Sequence, residues 1–149
     1  MDRHWSLGEA YVILPSHVNT AIDALYLASS LEAVEYYAGL YGSYSSDGTL
    51  VTIAGLVSVR SGGATGCERD VPSLTKSLRR LWEMTAGKQY YIGDWHTHPN
   101  ASSDPSEVDL ATLASDDCEQ CKQPLLLISG CDGYSLRGMV CGEILAGES

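Results

Sequence analysis

The 149-residue sequence contains no phenylalanine, so its aromatic core has to come from nine tyrosines and three tryptophans. It is also short of positive charge, with nine Lys and Arg against nineteen Asp and Glu and a formal net charge of −10. Nucleic-acid binders draw most of their affinity from phosphate neutralisation by a basic stripe. The one basic cluster here is Lys76 with Arg79 and Arg80, on the solvated face of an expected helix. Nucleic acid and anionic membrane are therefore not expected partners, whereas a basic protein segment would be steered towards this surface. No apolar run reaches the length of a membrane span. The opening Met1-Asp2-Arg3-His4-Trp5-Ser6 lacks a cationic stretch followed by an apolar one, so no secretory leader is expected and the cytoplasm is the expected location. Nor is there an internal repeat, low-complexity tract or linker, and residues 1–149 are read as one domain.

The five cysteines are odd in number, which with no export signal reads as free thiols in a reducing compartment. Cys118 and Cys121 have zinc-knuckle spacing, and Cys131 and Cys141 would complete four ligands, but the paired CxxC…CxxC pattern is missing.

What remains is patterned throughout. Ala10–Leu14 is a short apolar run ending at Pro15, a strand. From Ser16, which is placed to cap it, a helix is expected with Val18, Ala21, Ile22, Leu25 and Ala28 on one face. Strands over Tyr37–Tyr44 and Leu50–Val59 flank the Asp47-Gly48 turn signal. After a Gly-rich loop over Ser61–Asp70, a second amphipathic helix spans Pro72–Met84, with Leu74, Leu78, Leu81 and Trp82 on its apolar face. Tyr90–Trp95 reads as a buried strand and Asn100–Pro105 as a loop. Ser106–Ala114 reads as a third helix capped by Ser106, and Pro124–Ser129 and Ser135–Leu145 as closing strands. Strands, helices and hairpins mixed in this order predict an α+β fold.

The chemistry concentrates in Gly93-Asp94-Trp95-His96-Thr97-His98-Pro99 and, six residues on, Ser106-Glu107-Val108-Asp109. Along a strand, residues i and i+2 share a face, so His96 and His98 can present two imidazoles to one ion. Asp109, one turn into the following helix, can add an oxygen from a third direction. Three protein ligands with a fourth position open is the arrangement of catalytic zinc, whereas structural zinc sites are closed and thiolate-rich. Ser106-x-x-Asp109 also reads as a helix capping box, which would fix Ser106 beside the metal.

The same residues, His96-x-His98-Pro99-x6-Ser106-x-x-Asp109, resemble the full HxHPx6SxxD motif of the JAMM (MPN+/JAB) zinc metalloproteases. That family also carries an upstream glutamate in a pattern like ExxGxLxG. Glu35-Tyr-Tyr-Ala38-Gly39-Leu40-Tyr-Gly42 is similar to it, with Ala38 in place of the first glycine. Glu32 is the competing glutamate, but its spacing to Leu40 and Gly42 departs from the pattern. The resemblance covers roughly residues 10–145 and implies a mixed β-sheet sandwich flanked by helices, with a layout like that of the cytidine deaminases. It implies one zinc per chain on His96, His98 and Asp109, with Glu35 as general base and Ser106 as oxyanion donor. Trp95, on the opposite face of its strand, is expected in the core, and Asp94, on the ligand face, either orients an imidazole or is plainly solvated.

Tyr91-Ile-Gly93-Asp-Trp-His-Thr-His-Pro99 resembles the prokaryotic JAB branch, whose members accompany ubiquitin-like proteins in bacterial conjugation and antiphage operons of the CBASS or ISG-like kind. The implied activity is a zinc peptidase or isopeptidase that cleaves after the C-terminus of a ubiquitin-like protein. Two alternatives stay open at this point: a JAMM peptidase acting on other peptides, such as phage-tail or small peptides, and a non-catalytic MPN scaffold. A nucleobase deaminase does not fit, because its H-x-E…P-C-x-x-C signature is absent.

Overall fold

The computed structural model of the protein describes residues 1–62, 71–114 and 124–149. In chain order these form β1 (Arg3–Leu7), β2 (Ala10–Leu14), α1 (Ser16–Glu32), β3 (Tyr36–Tyr44) and β4 (Leu50–Ser61). There follow α2 (Val71–Met84), β5 (Tyr90–Thr97), α3 (Glu107–Ala114), β6 (Leu125–Gly130), β7 (Gly133–Val140) and β8 (Glu143–Ala146). The strands make one mixed sheet in the order β1-β2-β4-β3-β5-β6-β7-β8. Pairing is antiparallel except between β2 and β4 and between β5 and β6. The two edges of the sheet meet: Ser6 N–H donates to Glu148 O at 2.7 Å and Glu148 N–H to Ser6 O at 2.9 Å. The implied sandwich thus takes the form of a single sheet curled until its edges touch, with helices on its flanks, an α+β architecture.

Alternation along the strands divides the sheet between two apolar clusters. The larger gathers Trp5, Leu7, Val12, Leu14, Leu40, Ile53, Ile92, Trp95, Leu127 and Leu136 with Val18 and Ile22 of α1. The smaller lies on the other face of β6, where Leu126 and Ile128 meet Leu113 of α3. Gly39 sits on that second face under Leu74 of α2, whose Cδ1 would lie 3.0 Å from any added Cβ. α2 and α3 therefore cover one face, with the middle of β3 and β5 between them, and α1 covers the other.

Several local expectations need correcting. Ser16 does not cap α1. Pro15 takes the N-cap position with no side-chain bond, and Asp2 Oδ1 accepts the Ser16 N–H at 2.8 Å from fourteen residues away. The proline fixes an extended φ, and the adjacent serine becomes the first helical residue, so a distant carboxylate takes over the capping role. Trp82 is 53% exposed; its ring lies beside that of Tyr90 at the start of β5, centroids 6.2 Å apart. The expected strand over Ser135–Leu145 is two strands, split by a Cys141–Gly142 turn with positive φ at both residues. β1, five residues with only Trp5 and Leu7 buried, is too short for its alternation to stand out.

Candidate metal centre

β5 is where the two faces separate. Trp95 is wholly buried in the main core, and its Nε1–H donates to Ser129 Oγ at 2.9 Å. His96, one residue on, faces the other way beside Ile128 of β6 and Tyr37 of β3, its partners in register. Gly93 permits this close pairing, since a Cβ there would lie 2.1 Å from Leu125 O. Just beyond the strand, His98 N–H donates to Ser129 O at 2.8 Å, which carries the i, i+2 relation of the histidines past the strand end.

The loop that brings the third group back is built on the β6–β7 turn. Cys131 N–H donates to Ala101 O at 2.7 Å. Asp132 accepts from Ser103 N–H at 2.8 Å and from Ser102 Oγ at 3.1 Å. The Ser103 N–H bond, with help from the hydroxyls, holds the Asp132 carboxyl below the usual carboxylate range. Gly130 lies directly beneath the loop, where a Cβ would come within 2.2 Å of Ser103 N. The sequence marks Asp132-Gly133 as a turn, but nothing in it shows that this carboxylate reaches across to residues 102 and 103.

The helix that follows starts with a reciprocal capping box, as SxxD suggests. Asp109 N–H donates to Ser106 Oγ at 3.1 Å and Ser106 N–H to Asp109 Oδ2 at 2.9 Å. Leu113, one turn beyond Asp109 on the same side of α3, is buried against Leu126 and Ile128. Docking of that leucine swings Asp109 over the histidines.

The outcome is a tight group. His96 Nε2 and His98 Nε2 are 3.3 Å apart. Asp109 Oδ1 is 3.4 Å from the first and Oδ2 3.2 Å from the second. Among the described residues this is the one set of three His, Cys, Asp or Glu placed to hold a metal ion together. A tetrahedral zinc with bonds of about 2.0–2.1 Å holds its ligand atoms roughly 3.3–3.4 Å apart; the two imidazole nitrogens have that spacing, and the Asp109 carboxylate sets one oxygen against each of them. The tautomer fits as well. His98 Nδ1 lies 2.8 Å from Ser102 O; donating its proton there leaves the Nε2 lone pair aimed into the group. Burial pushes the Asp109 carboxyl up, but hydrogen bonding and charge from His96 and contacts from Ser106 outweigh it. The group stays well below the usual carboxylate range and is ionised at neutral pH.

Glu35 lies just ahead of β3. Its Oε2 accepts from the hydroxyl of Tyr37, and the Tyr37 ring lies 5.4 Å from that of His96. Glu32, by contrast, is exposed on the last turn of α1 and bonds Tyr36, whose hydroxyl it raises. Ser106 is exposed at the mouth of the site, and its oxygen accepts from Asp109 N–H. Asp94 accepts from Tyr91 at 2.7 Å, and the carbonyl of Ser102 takes the orienting role at His98. Cys131 and Cys141 are exposed free thiols, whereas Cys118 and Cys121 lie outside the described residues.

Mixed-sheet fold and ligand set together match a known class. Residues 16–141 fit the family described as prokaryotic homologs of the JAB domain, and the chain belongs to that family. It is 33% identical over 110 residues to a protein of Enterobacter hormaechei subsp. hoffmannii (strain UCI 50) named CD-NTase/cGAS isopeptidase. That match takes in 68% of this chain, which spans only 59% of the relative's length. A solution structure of a Desulfitobacterium hafniense protein superposes with a TM-score of 0.55 at 15% identity, over 89% of this chain and 87% of that one; it supports the fold alone.

Proposed function

We propose that the protein is a zinc-dependent isopeptidase that releases a ubiquitin-like protein by cutting the amide bond after its C-terminal residue. The observation that carries this reading is the His96–His98–Asp109 geometry, with 3.2–3.4 Å between donor atoms and an open approach past an exposed Ser106. Zinc, when bound there, acidifies a water and polarises a carbonyl. Glu35 accepts the proton that water gives up as its oxygen adds to the carbonyl carbon, and passes it to the departing nitrogen as the C–N bond breaks. The products are a free C-terminal carboxylate and an amine. Ser106 donates its hydroxyl hydrogen to the carbonyl oxygen as negative charge builds on it. Asp109 serves twice, as a residue that would hold the metal and as partner of the Ser106 cap.

The name of the Enterobacter relative, CD-NTase/cGAS isopeptidase, supports an isopeptide bond as the target. We read the conjugate as a CD-NTase joined through a lysine to a ubiquitin-like tail, in a bacterial defence system of the cytoplasm. An extended tail with small terminal residues can reach a recessed carbonyl-binding site, and basic residues in it would be drawn to a chain of net charge −10. The test is a reporter fused behind the tail of a ubiquitin-like protein from a CD-NTase system. Mass spectrometry should find cleavage at the last tail residue, abolished by a chelator. An intact fusion beside cleavage of an unrelated short peptide would overturn this reading in favour of a general peptidase.

A further inference from the structure

Glu35 is not on a regular element, yet the chain around it is tied down on every side. Gly62 N–H donates to Glu35 O at 2.6 Å. Beneath it lie two hydroxyls with no solvent exposure, Ser29 of α1 and Thr97 of β5. Tyr36 N–H donates to Thr97 Oγ1 at 2.9 Å. Thr97 and Ser29 oxygens are 2.5 Å apart, and Ser29 Oγ donates to Val34 O at 2.5 Å. The single Ser29 hydrogen is thus committed to Val34, so Thr97 must be the donor to Ser29. The bonds then run in one direction from residue 36 to residue 34, through the residue that separates the two histidines. Such an oriented chain strengthens each member and leaves no buried group unpaired. On the opposite face, the Tyr37 hydroxyl donates to the Glu35 carboxylate while its ring lies against His96.

We propose that Thr97 and Tyr37 are positioning residues that register the base against the metal ligands from both faces of the sheet. Thr97 acts through the backbone on either side of Glu35, and Tyr37 through its carboxylate. The inference rests on Glu35 being the base. It makes the middle residue of His96-Thr97-His98 a working part: the strand that points two imidazoles one way points the hydroxyl that locates Glu35 the other way. Tyr37 bonds one carboxylate oxygen, Oε2.

The test uses zinc-loaded protein carrying Tyr37→Phe, Thr97→Val or Thr97→Ser, each alone and with Glu35→Gln. Losing one hydrogen bond to a charged group should lower kcat on the tail–reporter fusion by about tenfold or more in Tyr37→Phe. Thr97→Val should act alike and Thr97→Ser should restore the rate, with KM and zinc content unchanged throughout. With Glu35→Gln in place neither substitution should slow the enzyme further; equal losses in both backgrounds would mean a structural role and overturn the proposal. A second readout needs no substrate: the 13C resonance of the Glu35 carboxyl should move in Tyr37→Phe and in Thr97→Val and return in Thr97→Ser. An unmoved resonance in Tyr37→Phe sinks the proposal even if Thr97→Val fails to fold. Wild-type protein that leaves the fusion intact would fell the isopeptidase reading, while the resonance still decides whether Glu35 is held in this way.

Discussion

The two faces of β5, continued one residue past its end to His98, are put to opposite use. On one face Trp95 and Thr97 are sealed, every polar atom matched to Ser129, Ser29 or Tyr36. On the other, His96 and His98 turn their Nε2 atoms towards each other at 3.3 Å beside a carboxylate. The first arrangement is complete in itself. The second brings two imidazole nitrogens and a carboxylate together where they could hold a cation. Stability is thus invested on one side of the strand and chemistry on the other, with pleat alternation keeping them apart.

The sharpest way to break this contrast is to cut each face in turn. Trp95→Ala should destabilise the fold by about 3–5 kcal/mol while the protein that remains folded still binds zinc. His96→Ala should do the reverse, weakening zinc by more than the roughly 10–100-fold that partners outside the ligand set cost, with little change in unfolding free energy under chelator. Denaturant titration and competition with a chromophoric chelator read the two effects separately.

Leu113→Ala blurs the division, because the leucine that docks α3 also carries Asp109. We expect a loss of about 2–3 kcal/mol, near the lower end for such truncations, with weaker zinc binding in the same protein. If zinc affinity is unchanged, α3 holds its place without that contact. Asp132→Ala is gentler. It frees the loop whose Ser102 carbonyl orients His98, and should weaken zinc by about tenfold with only a small shift in Tm.

The smallest effect contrasts Asp132 with the other Asp-Gly turn. Asp47 binds Ser45 and Thr49 of its own hairpin, and those bonds lower its carboxyl to about 2. A depressed carboxylate stabilises the fold above its unfolded value of about 3.9 and loses that effect as pH falls towards 2. Asp47→Ala should therefore lower Tm slightly at neutral pH and match wild type near pH 2, leaving zinc untouched. A change in zinc affinity would mean that the two turns are not independent.

That His96, His98 and Asp109 come together is legible because their geometry is local. His96 and His98 follow from strand alternation, and Asp109 from a capping box that opens at Ser106, seven positions beyond Pro99. Trp95 in the core followed from the same alternation. What escaped depends on contacts far apart in sequence. Asp132 reaches back about thirty residues to hold the site loop, Asp2 replaces Ser16 as the cap of α1, and Ser29 meets Thr97 across 68 positions. The closed form of the sheet is hidden for the same reason, since the residues that meet, 6 and 148, stand near opposite ends of the sequence.

The most direct test of a separable metal site and base is zinc content and cleavage measured together in wild type, Asp109→Ala and Glu35→Gln. Wild type should hold one zinc per chain and cut the tail–reporter fusion. Asp109→Ala should lose both properties, and Glu35→Gln should keep its zinc while slowing by about 10²–10⁴-fold. Full zinc in Asp109→Ala, or near wild-type cleavage by Glu35→Gln, would contradict the assignment.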